Sequence, residues 1–191
     1  MVICPYTCLT SQSCPSAFPH KNIRLAAAEY TGTKAFFITL CSAHRRAFFA
    51  DSVVALRLLQ LLREEAEQHA FAIHAYCLMP NHLHFLAQGT QADCNRLRFV
   101  KAFRIRSSRG YAGQTWRVLW QKKYFDRVLR SGSALNSVAW YIWLNPVRKG
   151  LVDGVGKYPF AGSSMNAEPF RDQPADPWRP VGRQSRDCQP E

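Results

Sequence analysis

The sequence predicts an α+β domain, an antiparallel sheet built in the chain order β-α-β-β-α-β with one more helix on its C-terminal side. Three observations lead there. Short apolar and aromatic runs alternate with amphipathic stretches long enough for several helical turns. Two of the short runs are separated only by Pro80-Asn81, the mark of a tight hairpin between adjacent strands. The last patterned segment opens on a Ser cap at Ser133 and reaches Pro146, where a helix is expected to stop.

Each element follows from its own residues. Residues 1–32 carry Pro, Ser and Cys without period and read as an N-terminal extension. "TKAFFITLCS" (33–42) is rich in β-branched and aromatic residues, as a strand should be. "DSVVALRLLQLLREEAEQHA" (51–70) offers Asp51 or Ser52 as an N-cap and sets Val54, Leu58, Leu61 and Leu62 at helical spacing. "FAIHAYCLM" (71–79) and "HLHFLAQ" (82–88) are the two hairpin strands. "DCNRLRFVKAFRIRSSR" (93–109) is a second helix with a basic side, "WQKKYFDRVLR" (120–130) a fourth strand, and 133–146 a third helix. The first six elements make the ferredoxin-like order, which puts both early helices on one sheet face and leaves the other for a ligand. From 161 onward the chain is Pro-, Arg- and Asp-rich and aperiodic. The expected organisation is therefore an extension (1–32), one domain (33–160) and a poorly ordered basic tail (161–191).

Charge narrows the partners. Among 191 residues, 25 Lys and Arg stand against 13 Asp and Glu, a formal net charge of +12 that favours a polyanion. No apolar run approaches the roughly 20 residues that span a bilayer, and the first residues lack the basic start and apolar stretch of a signal peptide, so a cytoplasmic protein without membrane contact is expected. The seven cysteines need no disulfide. Cys41, Cys77 and Cys94 fall in patterned segments as small buried thiols. Cys4, Cys8, Cys14 and His20 match no closed structural-zinc spacing and read as free side chains on a loose arm.

Candidate chemistry centres on "MPNHLHFL" (79–86). Strand side chains alternate, so His82 and His84 point to one face about 7 Å apart along the chain and can share an ion, while Leu83 and Phe85 point the other way. Spacing alone favours a polar hairpin face with two incidental histidines, and two imidazoles leave a site incomplete. Tyr141 and Asn145, four apart in "YIWLNP", share a helical face. An amide oxygen beside imidazoles suits Mg²⁺ or Mn²⁺ with positions left open for a phosphate. Taken alone, Tyr141 is a core aromatic beside Trp140 and Trp143.

Three separated segments in the right order are more specific than any one. With "YCLMPNHLHFLA", "WQKKYFDRVLR" and "YIWLNPVRKGLV" followed by "YPFAGSS", the chain resembles the single-tyrosine HUH transposases over about residues 30–165, and within them the REP-associated tyrosine transposases. The resemblance implies that His82 and His84 are the metal-binding pair, that Tyr141 is the nucleophile, and that Asn145 stands where related enzymes place a third polar ligand. It implies cleavage of single-stranded DNA beside hairpins such as REP palindromes, through a 5′-phosphotyrosine and a released 3′-OH, reversible to rejoin strands. The chemistry is coherent: a phenol with a pKa of about 10 needs a neighbouring cation or base to attack, and in-line displacement at phosphorus needs its non-bridging charge neutralised.

Arg98, Lys101, Arg104, Arg106, Lys122, Lys123, Arg127, Arg148 and Lys149, with Arg130, are expected to track the DNA backbone, and Trp116, Trp120 or Tyr124 to stack on unpaired bases. The protein is expected to act as a monomer or homodimer. The alternative is a non-catalytic ferredoxin-like module that binds single-stranded nucleic acid and has no need of the histidine pair with Tyr141. A zinc hydrolase lacks its further ligand and any HExxH or Cys-pair signature.

Overall fold

The computed structural model describes residues 27–115, 118–129 and 132–163. Its elements are β1 (Ala35–Cys41), α1 (Ser52–Gln68), β2 (Phe71–Met79), β3 (His82–Gly89), α2 (Arg96–Thr115), β4 (Phe125–Leu129), α3 (Gly132–Arg148) and β5 (Ala161–Gly162). The strands lie in the order β4-β1-β3-β2-β5, each pair antiparallel. This is the expected ferredoxin-like sheet with a short fifth strand on one edge.

Period-two alternation gives the sheet two apolar faces. Phe36, Ile38 and Leu40 of β1 with Leu83 and Phe85 of β3 meet Leu58, Leu61 and Leu62 of α1 and Phe99, Val100 and Phe103 of α2. On the opposite face Ala75, Cys77, Met79 and Leu86 meet Val138, Trp140, Ile142 and Trp143 of α3. Burial on both faces is why β2 and β3 read as nearly continuous apolar runs. Of the two cap candidates for α1, Asp51 serves: its Oδ1 accepts from the amides of Val53 (2.8 Å) and Val54 (3.2 Å).

Several boundaries differ from the sequence expectation. The 120–130 strand contracts to Phe125–Leu129, because Trp120 turns into the core, where its indole Nε1 donates to Ser107 Oγ at 2.8 Å. α2 runs on to Thr115. α3 passes through Pro146 to Arg148. In the last turn the proline deprives only the Ile142 carbonyl of its helical partner, and the stop is made by Gly150 at φ +65°, whose amide donates to Val147 O at 2.9 Å. The face expected to lie open is partly roofed by α3.

The domain also extends past its expected ends. Ala161 and Gly162 pair with Cys77 and Tyr76, and a Cβ on Gly162 would stand 2.9 Å from the Tyr76 hydroxyl, so a larger residue there would have to displace that ring. At the other end Tyr30 lies under the Arg96 guanidinium, 4.6 Å from ring centroid to Cζ. Cys41, Cys77 and Cys94 are free thiols; Cys77 and Cys94 are buried as expected, whereas Cys41 is half-buried. The Cys4, Cys8, Cys14 and His20 set lies outside the described residues. No described helix is long and apolar enough to cross a membrane.

Candidate active site

The centre of the site is a row of side chains on the α3 face of the sheet. His84 of β3 pairs in register with Thr39 of β1 and Cys77 of β2, and His82 pairs with Cys41 and Met79. The tight Pro80-Asn81 turn starts β3 at His82, which fixes both imidazoles on this face. Their ring centroids are 4.6 Å apart with planes at 81°.

Each imidazole is held through one nitrogen. The Nδ1–H of His82 donates to Asn81 Oδ1 at 2.6 Å, and His84 Nδ1 bonds the Thr39 hydroxyl at 2.8 Å. No described residue bonds either Nε2. The hydrogen bond to one nitrogen fixes each ring's orientation. The rings are also uncharged near neutrality. Burial, then the positive charges of Arg45 and Lys149, push His82 down to about 4, and burial with the neighbouring His82 holds His84 well below the ordinary imidazole value. A neutral imidazole is the form that coordinates a cation.

Tyr141 of α3 reaches this row. Its ring stands 6.1 Å from His84 and 5.9 Å from Phe37, edge-on to both, while Phe37 stacks on His84 at 5.7 Å. The Arg148 guanidinium sits 5.2 Å from the Tyr141 ring centroid. Helical spacing puts Tyr141, Asn145 and Arg148 along one side of α3. Asn145 is buried and its Nδ2 donates to the Tyr141 carbonyl at 3.1 Å, which leaves Oδ1 as the available donor atom. Among the described residues no hydrogen bond joins Asn145 to either histidine, and no cluster of three His, Cys, Asp or Glu side chains completes a metal cage.

The model of the IS200-like transposases matches residues 33–143, more than half of the chain and the span from β1 into α3. The chain belongs to the IS200-like transposase family. A relative in Haemophilus influenzae, named as a REP-associated tyrosine transposase, is 24% identical over 137 residues, covering 66% of this chain and 77% of the relative. Among solved structures, a REP-associated tyrosine transposase bound to a REP hairpin superposes with a TM-score of 0.59 at 20% identity, over 69% of this chain and 78% of that one.

In this IS200-like transposase the expected basic residues divide between the two sheet faces. Arg98 and Lys101 are exposed on α2, across the sheet from the histidines. Arg104 donates through Nη2 to the carbonyls of Gln121 (2.6 Å) and Lys122 (3.4 Å), and Arg106 pairs with Glu64 and Glu65 of α1. Both tie α2 to its neighbours. Lys122 and Lys123 are exposed on the approach to β4. Arg127, exposed and in register with Phe37, lies on the histidine face, as do Arg148 and Lys149 at the end of α3. Arg130 and Trp116 lie outside the described residues. Trp120 and Tyr124 belong to the α1/α2 side: the first is buried and the second is half-buried with Arg96 and Arg104 against its ring, so neither faces the histidine row.

Sequence reasoning missed Thr39, Asn81, Phe37, Arg45 and Phe125. Thr39 was legible as the lone polar residue inside "AFFITLC", and Asn81 as the neighbour of His82. Arg45 gave no signal. It approaches His82 because the loop after β1 turns through two left-handed residues, His44 and Arg45, each at φ 54°.

Proposed function

We propose that this transposase cleaves and rejoins single-stranded DNA beside hairpins such as REP palindromes, with Tyr141 as nucleophile and His82 and His84 as ligands of a catalytic Mg²⁺ or Mn²⁺. The observation that carries the reading is the contact of the Tyr141 ring with His84, which brings the tyrosine of α3 to the imidazole pair of β3. The REP-associated relative and the hairpin-bound structural neighbour support the choice of DNA form.

The residues fit the ion. Both Nε2 atoms are available, both rings are uncharged, and imidazole with an amide oxygen is a donor set for Mn²⁺ or Mg²⁺, the softer nitrogen favouring manganese. When bound, the ion would neutralise the non-bridging oxygens of the scissile phosphate. Asn145 Oδ1 is the third protein donor in this proposal, with the remaining positions left to phosphate and water.

Tyr141 supplies the covalent chemistry. Its oxygen attacks phosphorus, the bond from phosphorus to the 3′ oxygen breaks, and that oxygen leaves with a proton as a 3′-OH while the 5′ strand stays on the tyrosine. The Arg148 guanidinium beside the ring is the cation that a phenol nucleophile needs, and Phe37 holds the ring edge-on against His84. A 3′-OH attacking the phosphotyrosine reverses the step, and the aryl ester carries the energy, so no ATP is consumed. Arg45, Arg127 and Lys149 line the same face and would hold the flanking strand by charge.

The test is incubation with Mn²⁺ and a labelled hairpin oligonucleotide bearing single-stranded flanks, followed by a denaturing gel. The expected result is a slow, protease-sensitive band whose DNA-linked peptide contains Tyr141, absent in Tyr141→Phe and absent with an unbroken duplex. Salt-sensitive binding with no adduct under any divalent ion would overturn catalysis and leave the non-catalytic binding module. An adduct that persists in Tyr141→Phe would move the nucleophile elsewhere.

A further inference from the structure

Seven large apolar side chains stand well exposed among the described residues, and Phe125 is the one aromatic among them, at 47%. It lies on the edge strand β4 in register with Thr39, which is itself in register with His84. Phe125, Thr39 and His84 thus form one row across three strands. Two strand spacings put Phe125 roughly 10 Å from His84 on the same face. The ring is braced at one edge by Phe37, 5.9 Å away and T-shaped, and Phe37 in turn stacks on His84. Its strand is anchored from the other face, where Asp126 pairs with the fully buried Arg96 at 2.9 Å. The ring is exposed yet held in place.

We infer that Phe125 is a stacking platform for an unpaired base of the DNA strand that runs into the site, with Arg127 beside it on the backbone. The inference rests on the single-strand reading above and adds the residue that receives the base. Charge selects the occupant. Arg127 is exposed two residues along the strand on the same face as Phe125, Lys122 and Lys123 are exposed just before the strand, and the one acid in the segment, Asp126, is turned inward and neutralised by Arg96. An exposed ring in a segment whose exposed charges are cationic matches a polyanion carrying π-faces, whereas an apolar peptide would leave those charges unused. Stacking also tolerates any base, which suits a position that holds the strand and leaves sequence choice to other contacts.

The experiment uses the full chain with a hairpin oligonucleotide that carries 2-aminopurine at successive flank positions, in chelator so that nothing is cut. Wild type should quench the fluorophore at one flank position or two adjacent ones. Phe125→Ala should abolish that quenching and weaken binding by roughly tenfold or more, Phe125→Leu should fail to restore it, and Phe125→Trp should retain it. An abasic substitution at the quenched position should weaken wild type by the same factor and leave Phe125→Ala unchanged. Arg127→Ala should instead lower the salt slope of binding.

Binding by Phe125→Leu equal to wild type would overturn stacking. So would unchanged affinity in Phe125→Ala, or a wild-type dimer in sedimentation that Phe125→Ala dissolves, which would make a second copy the occupant. Adduct formation with Mn²⁺, run in parallel, separates the two readings. Adducts with a neutral Phe125 sink this inference alone, whereas no wild-type binding to any oligonucleotide sinks both.

Discussion

The two faces of the sheet treat buried ionisable groups in opposite ways. On the α1/α2 face Arg96 is 1% exposed and keeps its charge: Asp126 neutralises it at 2.9 Å, and the rings of Tyr30, Phe36 and Tyr124 surround its guanidinium. On the α3 face His82 is half-buried and His84 buried, no described residue gives either a counter-ion, and burial pushes both below the ordinary imidazole value. A buried charge that is paired and walled by aromatics is structural. The imidazole pair is instead held through one nitrogen each, by Asn81 and Thr39. The difference lies in what meets the group: an acid on one face, and on the other only a neutral hydrogen-bond partner among the described residues.

That comparison can be broken most directly at the histidines. His84→Ala should reduce Mn²⁺-dependent adduct formation to background while urea unfolding shows a folded protein, since the ring faces the site and not the α1/α2 core. Retained cleavage would remove the metal assignment. The reciprocal change is Arg96→Met, which leaves the Asp126 carboxylate without its partner in a half-buried setting and should cost about 3 kcal/mol of stability by denaturant titration. The folded fraction should still form adducts at low temperature, and a loss of chemistry out of proportion to unfolding would blur the two faces.

A finer contrast lies between the proposed ligand His84 and its support. Thr39→Val keeps the shape of the side chain but removes the hydroxyl that holds His84 Nδ1, so Mn²⁺ affinity should fall by about ten- to a hundredfold with the melting transition little changed. Unaltered affinity in a calorimetric titration would show that the imidazole needs no such anchor.

The smallest expected effect is on stability against pH in the absence of metal. In the unfolded chain His82 takes a proton near its ordinary value of 6.5, while in the folded chain it resists until about 4. The unfolded state therefore binds more protons in that window. Stability present above about 6.5 should decline as pH falls toward 4 and then level off, and His82→Gln should flatten the slope. An unchanged slope in that variant would mean that other groups govern acid sensitivity.

Much of this was legible in the chain itself. The hairpin at Pro80-Asn81, the helix capped by Asp51 and the period-two placement of His82 and His84 are local facts, fixed by turn chemistry, capping and alternation within a few residues. The resemblance to the family likewise rested on contiguous motifs and agrees with the match over residues 33–143. Arginine was harder to read. Arg96, Arg104 and Arg106 look alike in "RLRFVKAFRIR", yet the first is sealed in the core, the second bonds the approach to β4 and the third pairs with α1.

Tertiary structure alone decided which side chains meet. Tyr141 and His84 are 57 positions apart in the chain and touch because α3 folds back over β2 and β3. Tyr124 and Phe125 are neighbours that a strand sends to opposite faces, one into the Arg96 cluster and the other toward Thr39 and the histidine row. Composition marks both as aromatics beside basic residues. Only the register of β4 on β1 determines which of them faces the histidine row, because a slip of one residue would exchange their faces.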